Sequence, residues 1–151
     1  MAAWRYWQLQ PATGRLRSVT HRSVTWTAGR AMHAVCLIGG HAAPAPGCAC
    51  GIHAAPTLAQ LREEGLCLKP FEPLVVGEVA LWGAVVTDDH GLRGEYGYPR
   101  ALSLVAAADA EPDPVSMVAL GRYGVPTGTM APDAAMGDVA AAIYAFQLMS
   151  R

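Results

Sequence analysis

Four side chains able to ligate a metal, Cys36, His41, Cys48 and Cys50, fall within fifteen residues in the stretch CLIGGHAAPAPGCACGIH. Gly39, Gly40, Pro44, Pro46, Gly47 and Gly51 interrupt that stretch, and their backbone preferences fit a tight loop and neither a helix nor a long strand. Cys48 and Cys50 are two apart, so in extended backbone their side chains point to the same side, and Gly51 lets the chain turn sharply around whatever they hold. A disulfide between these two would close a very small, strained ring. Zn²⁺, by contrast, accepts thiolates and imidazole in a tetrahedron, with no geometric demand from its d-electrons. Cys36 and His41 complete the pattern C-x4-H-x6-C-x-C, which predicts a zinc site although it departs from the usual C-x2-4-C knuckles.

Other readings of the same residues stay open. His53, through Cys50-x2-His53, and His33 are rivals to His41 as the nitrogen ligand. An iron–sulfur cluster would use the thiolates and recruit Cys67, but the LCL context of Cys67 reads more simply as a buried free thiol. Reading the cysteines as reduced packing residues runs against their Pro/Gly surroundings, which offer little core to pack in.

A second candidate lies in the apolar run VVGEVALWGAVV, Val75 to Val86. Glu78 and Trp82 are four apart and share a strand face, and Tyr96 on the following segment joins them as a candidate ligand-binding set. A carboxylate there needs a partner, for which Arg93 or Arg100 is the expectation, and it would act as a general base or orienting group beside the indole. The simpler reading is an ion-paired strand residue. Asp88, Asp89 and His90 are ligands by type, but the segment from Asp88 to Gly91 is explained by a hairpin turn. No GxGxxG, P-loop, GxSxG or HExxH pattern is present.

The elements that must position these groups are mostly strands. Trp4 to Leu9 alternates aromatic and polar side chains, Arg15 to Trp26 is β-branched enough for one or two strands, and Met32 to Ile38 delivers Cys36 off a strand end. Thr57 caps a helix of one to two turns that Gly65 ends, and Val75 to Val86 is the central strand, returning as Leu92 to Tyr98 until Pro99 stops it. Ala101 to Val105 adds a short strand or starts a helix. Asp113-Pro114 opens a two-turn helix, 127–132 is a loop, and Asp133 to Met149 forms a terminal helix burying Met136, Val139, Ala140, Ile143, Phe146 and Leu148.

Composition bounds the rest. A chain of 151 residues is one domain by length, 1–151, with 132–151 as a C-terminal helical extension. A hydrophobic content of 52% with 15% charged residues excludes disorder. The net charge of -1 gives no global reason to bind nucleic acid or an anionic membrane. Residues 1–30 carry five arginines and no acid, which sit most simply on the outer sides of strands. With no secretory leader and no long apolar run, a cytoplasmic protein is expected, and in a reducing compartment cysteines are thiols or metal ligands.

The stretches HAAPAPGCACGIHA, GEVALWGAVV and EYGYP together resemble a group of small uncharacterised proteins of high-GC bacteria, in which a CxCG[I][YH]A loop precedes a GxVxLWGxV strand. The resemblance covers residues 30 to 126 and implies that Cys48, Cys50, Gly51, Glu78, Trp82 and Gly83 belong to a shared pattern. It brings no activity. His53 stands where that group often has Tyr, which favours His41.

The expected fold is α+β: a β-rich bent sheet or partly open barrel of five to seven strands, with a zinc-stapled loop, short helices and a C-terminal helix. The expected function is a zinc-stabilised binding or interaction module with structural zinc, since a complete Cys3His shell leaves the metal no open position. One alternative is a small enzyme or small-molecule binder with a cleft near Glu78, Trp82 and Tyr96, the metal serving as Lewis acid if only three ligands bind. The other is nucleic-acid binding through the N-terminal arginines with Trp4, Tyr6 and Trp7. A protein or small molecule is favoured as partner over nucleic acid, and the alanine-rich terminal helix suits pairing with a second copy as a homodimer.

Overall fold

In the computed structural model, residues 1–19, 24–66, 68–69, 71–89 and 91–149 are described. Cys67, the alternative cluster ligand, and His90 of the hairpin turn lie outside them, as does Arg22 of the N-terminal arginines.

The chain is α+β. It begins with β1 (Ala2–Leu9), β2 (Leu16–Ser18), β3 (Thr25–Trp26), β4 (Met32–His33) and β5 (Ile52–Ala54), then forms the short helix α1 (Leu58–Arg62). The long hairpin β6 (Leu74–Asp88) and β7 (Gly91–Val105) follows, then α2 (Pro114–Gly121), β8 (Thr127–Met130), α3 (Pro132–Ala135) and α4 (Asp138–Met149). The eight strands form one open mixed sheet of order β3-β2-β1-β6-β7-β4, with β5 and β8 also on β7. Eight exceeds the expected five to seven because β3 and β4 are only two residues long and β8 carries no apolar alternation.

The hairpin organises this sheet. One edge of β7 pairs with β6, and Ile52 to Ala54 of β5 pair with Gly94 to Leu92, while Met32 and His33 of β4 pair with Gly97 and Tyr96. Both stems of the Cys/His loop therefore stand on one short stretch of a single strand. After β5 the chain reaches β1, where Trp4 and Ala55 exchange backbone hydrogen bonds of 2.7 and 2.8 Å, so the sheet curls without closing. Arg5 crosses the remaining seam, donating to the His53 carbonyl at 2.6 Å and to Ser18 Oγ at 2.8 Å, with its guanidinium 5.2 Å from the Trp26 ring centre.

Apolar side chains of alternate parity separate onto two faces, as the strand period requires. Trp7, Leu16, Trp26, Val75, Val79, Leu81 and Leu102 form the core on one face, closed by Leu120 and Tyr123 at the end of α2. Tyr6, Leu74, Val76 and Val105 form the other, covered by Leu61 of α1 and by Ala135, Met136, Ala141 and Tyr144 from the C-terminal helices. The capping expectations hold: Thr57 Oγ1 accepts from Gln60 N–H, and Asp113 caps α2 with Pro114 at its start.

Several expectations need correction. Pro99 does not end the strand; it sits where β7 bulges against β6 between Glu78 and Val79, a position at which a missing N–H is tolerated. Residues 127–130 are not loop but β8, parallel to β7 from Leu102 to Val105. The terminal helix breaks at Met136 and Gly137, and α4 turns its other face inward: Ala141 and Tyr144 are buried, while Val139, Ile143 and Phe146 are 76%, 55% and 71% exposed. Tyr144 decides this, because its hydroxyl accepts from the Leu74 backbone N–H at 3.0 Å. The N-terminal arginines are not all outside. Arg17 is buried, with Glu72 at 2.8 Å.

Candidate metal centre

The loop between β4 and β5 gathers Cys36, His41, Cys48 and Cys50, whose ligand atoms all lie within 4.8 Å of one another. Cys36 Sγ is 3.8 Å from Cys48 Sγ, and Cys50 Sγ is 3.4 Å from His41 Nε2. A tetrahedral zinc ion with metal–sulfur bonds of about 2.3 Å and metal–nitrogen bonds of about 2.0 Å has S···S edges of about 3.8 Å and S···N edges of about 3.5 Å. The two measured pairs therefore have the dimensions of opposite edges of such a tetrahedron. The sulfur pair is well outside the roughly 2.05 Å of a disulfide, so these are thiols.

Local sequence explains how the groups converge. β4 ends with Ala34 N–H on the Glu95 carbonyl at 2.8 Å, and Cys36 follows two residues later. The backbone then folds back so that Gly39 N–H donates to Cys36 Sγ at 3.2 Å. A side chain at Gly39 has no room: its Cβ would lie 2.5 Å from His41 Cε1, so the imidazole rests against this glycine. At the other stem Gly51 has φ +115°, which glycine alone adopts freely, and a Cβ there would press on Pro44 and on Arg93 within 3.1 Å.

Arg93, expected opposite Glu78, is instead buried beneath the loop. Its Nη1 donates to the Cys50 carbonyl at 2.9 Å and to the Cys48 carbonyl, while Nε and Nη2 hold Asp88 Oδ2 at 3.2 and 3.0 Å. The signal in the sequence is present but ambiguous: an arginine five residues from Asp88 across a hairpin pairs with it as readily as with an acid on the next strand.

The electrostatics follow from three thiols in one place. Hydrogen bonds from the Ile38 and Gly39 backbone N–H groups hold the Cys36 thiol below its ordinary range. Burial, and then the neighbouring Cys48 and Cys36, push the Cys50 thiol up. Three sulfurs this close resist joint ionisation unless a cation stands among them, and a dication reverses that preference. The donor set of three thiolates and one imidazole, with no oxygen, suits zinc.

The rival nitrogen ligands are turned to other partners. His53 Nε2 lies 2.7 Å from the Ala49 carbonyl oxygen, and His33 stacks on Tyr96 with ring centres 4.5 Å apart and Nε2 3.8 Å from Glu95. Neither belongs to the cluster.

The second candidate set is placed as a shared face. Trp82 and Tyr96 are cross-strand partners with rings 6.0 Å apart at 17°, and His33 extends the stack from β4. Glu78 pairs across β1 with Trp4 and, among the described residues, forms no ion pair with Arg93 or Arg100. The N-terminal aromatics form no surface: Trp7 and Tyr6 are buried, Trp4 is half-buried, and Arg5 closes the sheet seam. Among the described residues no helix is long and apolar enough to cross a membrane.

Set beside known proteins, the chain stands on its own residues: no family model, no curated protein and no solved structure matches it.

Proposed function

We propose that this chain is a metal-stapled binding module in which one zinc ion, held by Cys36, His41, Cys48 and Cys50, fixes the loop between β4 and β5. The observation that carries it is the pair of edges, 3.8 Å between two sulfurs and 3.4 Å between sulfur and imidazole, in a group spanning 4.8 Å. Four protein ligands fill a tetrahedron, so the ion organises backbone rather than activating water. Three thiols so close stay reduced in a reducing compartment, which accords with a cytoplasmic location.

The loop carries no Asp, Glu, Lys or Arg from residue 31 to residue 61, and it exposes Val35, Leu37 and Ile38 at 69%, 77% and 95%. An uncharged apolar tip is suited to a protein or an apolar small molecule and offers nothing to a phosphate backbone. Cobalt substitution tests the site. A tetrahedral, thiolate-rich Co²⁺ spectrum that Zn²⁺ abolishes supports the reading, and an octahedral spectrum or none contradicts it.

A second reading is a small-molecule face at Glu78, Trp82 and Tyr96, favoured by the parallel stack of Trp82, Tyr96 and His33, with Trp82 42% exposed. Ligands found by thermal shift should lose their effect in Trp82→Ala and Glu78→Gln. Hits indifferent to both substitutions would remove it.

A further inference from the structure

The four ligand groups are not attached to the fold equally. Cys48 and Cys50 sit on the half of the loop clamped by Arg93 through their carbonyls and that of Ala45. Cys36 and His41 sit on the other half, residues 35–42. Among the described residues no hydrogen bond ties that half to the sheet, and its links to the clamped half run from Cys36 to Cys48 and Cys50 and from His41 to Cys50. Exposed Val35, Leu37 and Ile38 give it no anchor in the core. Whatever joins Cys36 to Cys48 therefore decides whether this half of the loop is held.

A metal is one such joint, and a direct sulfur–sulfur bond is the other. We infer that Cys36 and Cys48 are an oxidisable pair whose conversion to a disulfide expels the metal and takes over its mechanical role in closing the loop. The pairing is specific. Cys48 and Cys50 cannot join without a strained ring, and the Cys50 sulfur, which Cys36 also reaches, is engaged by His41 Nε2 at 3.4 Å. Cys36 and Cys48 start 3.8 Å apart, and the missing distance is covered by the half that the sheet does not restrain.

The chemistry balances with hydrogen peroxide as oxidant. Cys36 and Cys48 are both half-buried, so either sulfur can meet the oxidant first. With Cys48 in that role, its thiolate attacks one peroxide oxygen, the O–O bond breaks, and the departing hydroxide leaves as water after taking a proton, giving a sulfenic acid. The Cys36 thiolate then attacks that sulfur, the S–S bond forms, the S–O bond breaks, and a second protonated hydroxide leaves as water. Two thiolates lose two electrons in total, peroxide gains them, and two protons are consumed. A zinc ion held by the four groups would keep only Cys50 and His41 as protein ligands and would be released.

This inference rests on the metal reading for the ion that is released; the sulfur pair stands without it. The test is to treat the reduced, zinc-loaded full chain with equimolar hydrogen peroxide, following zinc release with a colorimetric chelator and mapping cross-links by peptide mass. The expected result is one zinc released for every two thiols lost, with Cys36 linked to Cys48, reversed by a dithiol plus zinc. In zinc-free protein the same cross-link should form, and Cys50→Ser should retain it while Cys36→Ser abolishes it. A link from Cys50 to Cys36 or to Cys48, sulfinic acid without any link, or unchanged thiols overturns the inference. If reduced protein holds no zinc yet forms the cross-link, the metal reading falls and the oxidisable pair stands. Zinc bound without a subsequent cross-link leaves the metal site standing and overturns the pair.

Discussion

Arg93 Nη1 donates to the backbone carbonyl of Cys50 at 2.9 Å, which fastens a ligand of the loop to the buried face of β7. The same guanidinium reaches the Cys48 carbonyl and Asp88, so one residue couples the hairpin to two of the four ligands. Arg93→Ala is expected to weaken zinc binding by about 10- to 100-fold, the usual cost of losing a group that orients metal ligands. Arg93→Lys should not restore it, because an ammonium cannot span Asp88 and the carbonyls in one plane. Chelator competition measures both, and native affinity in Arg93→Ala would remove Arg93 from the site.

Gly39 is placed against the His41 imidazole, where an added Cβ would lie 2.5 Å from Cε1. Gly39→Ala should therefore displace the ring and lower zinc affinity, while the sheet, which this residue does not touch, keeps its circular dichroism. Gly40→Ala is the control, because nothing lies within 4 Å of a Cβ there, although its φ of +62° adds some strain. Equal loss in the two variants would contradict this packing.

Arg17 and Glu72 form a buried pair, with side chains 2% and 7% exposed, joined by bonds of 2.8 and 3.0 Å. Removing one partner leaves an uncompensated charge in the interior. Glu72→Ala should cost about 3 to 5 kcal/mol in urea unfolding, and Arg17→Met added to it should recover a good part of that loss. A double variant no more stable than Glu72→Ala would show that the guanidinium matters through something other than its charge.

Glu64 gives the fold a pH dependence away from the metal. Glu64 is exposed as a residue, but partial desolvation of its carboxyl raises it above the ordinary range, and Arg5 opposes that only in part. The native state thus keeps this proton to higher pH than the unfolded chain does, so this group's contribution to stability falls as pH rises from the ordinary carboxylate range to the raised native value. Glu64→Gln should be more stable than the native chain at neutral pH and equal to it at a pH where the carboxyl is protonated in both folded and unfolded chains. Urea midpoints at the two pH values decide it, and a Glu64→Gln protein less stable at neutral pH would reverse the sign.

Much of this arrangement is legible in the residues, and the reasons for the rest are specific. Cys36, His41, Cys48 and Cys50 stand out because metal-ligating types in a Pro/Gly loop have few other uses, and the long hairpin follows from β-branched runs around Asp88 to Gly91. The place of Arg93 is hidden because a charge inside a strand does not reveal which way its partner lies. The buried face of α4 is hidden because the helix is apolar all round, with Asp138 its only charge, so that periodicity cannot tell Tyr144 from Ile143. Strand β8 escapes notice because Thr127 to Met130 pairs through its backbone and carries no apolar alternation. The burial of Arg17 requires Glu72, fifty-five residues away, which no local pattern shows.

The most direct measurement is the mass of the native, reduced protein under non-denaturing ionisation, compared with Cys48→Ser and His41→Ala. One zinc per native chain, lost or weakened in both variants while their circular dichroism spectra keep the strand signature, is the expected result. A native chain that carries no metal after purification without chelators, and takes up none when zinc is added, would contradict the metal-stapled loop.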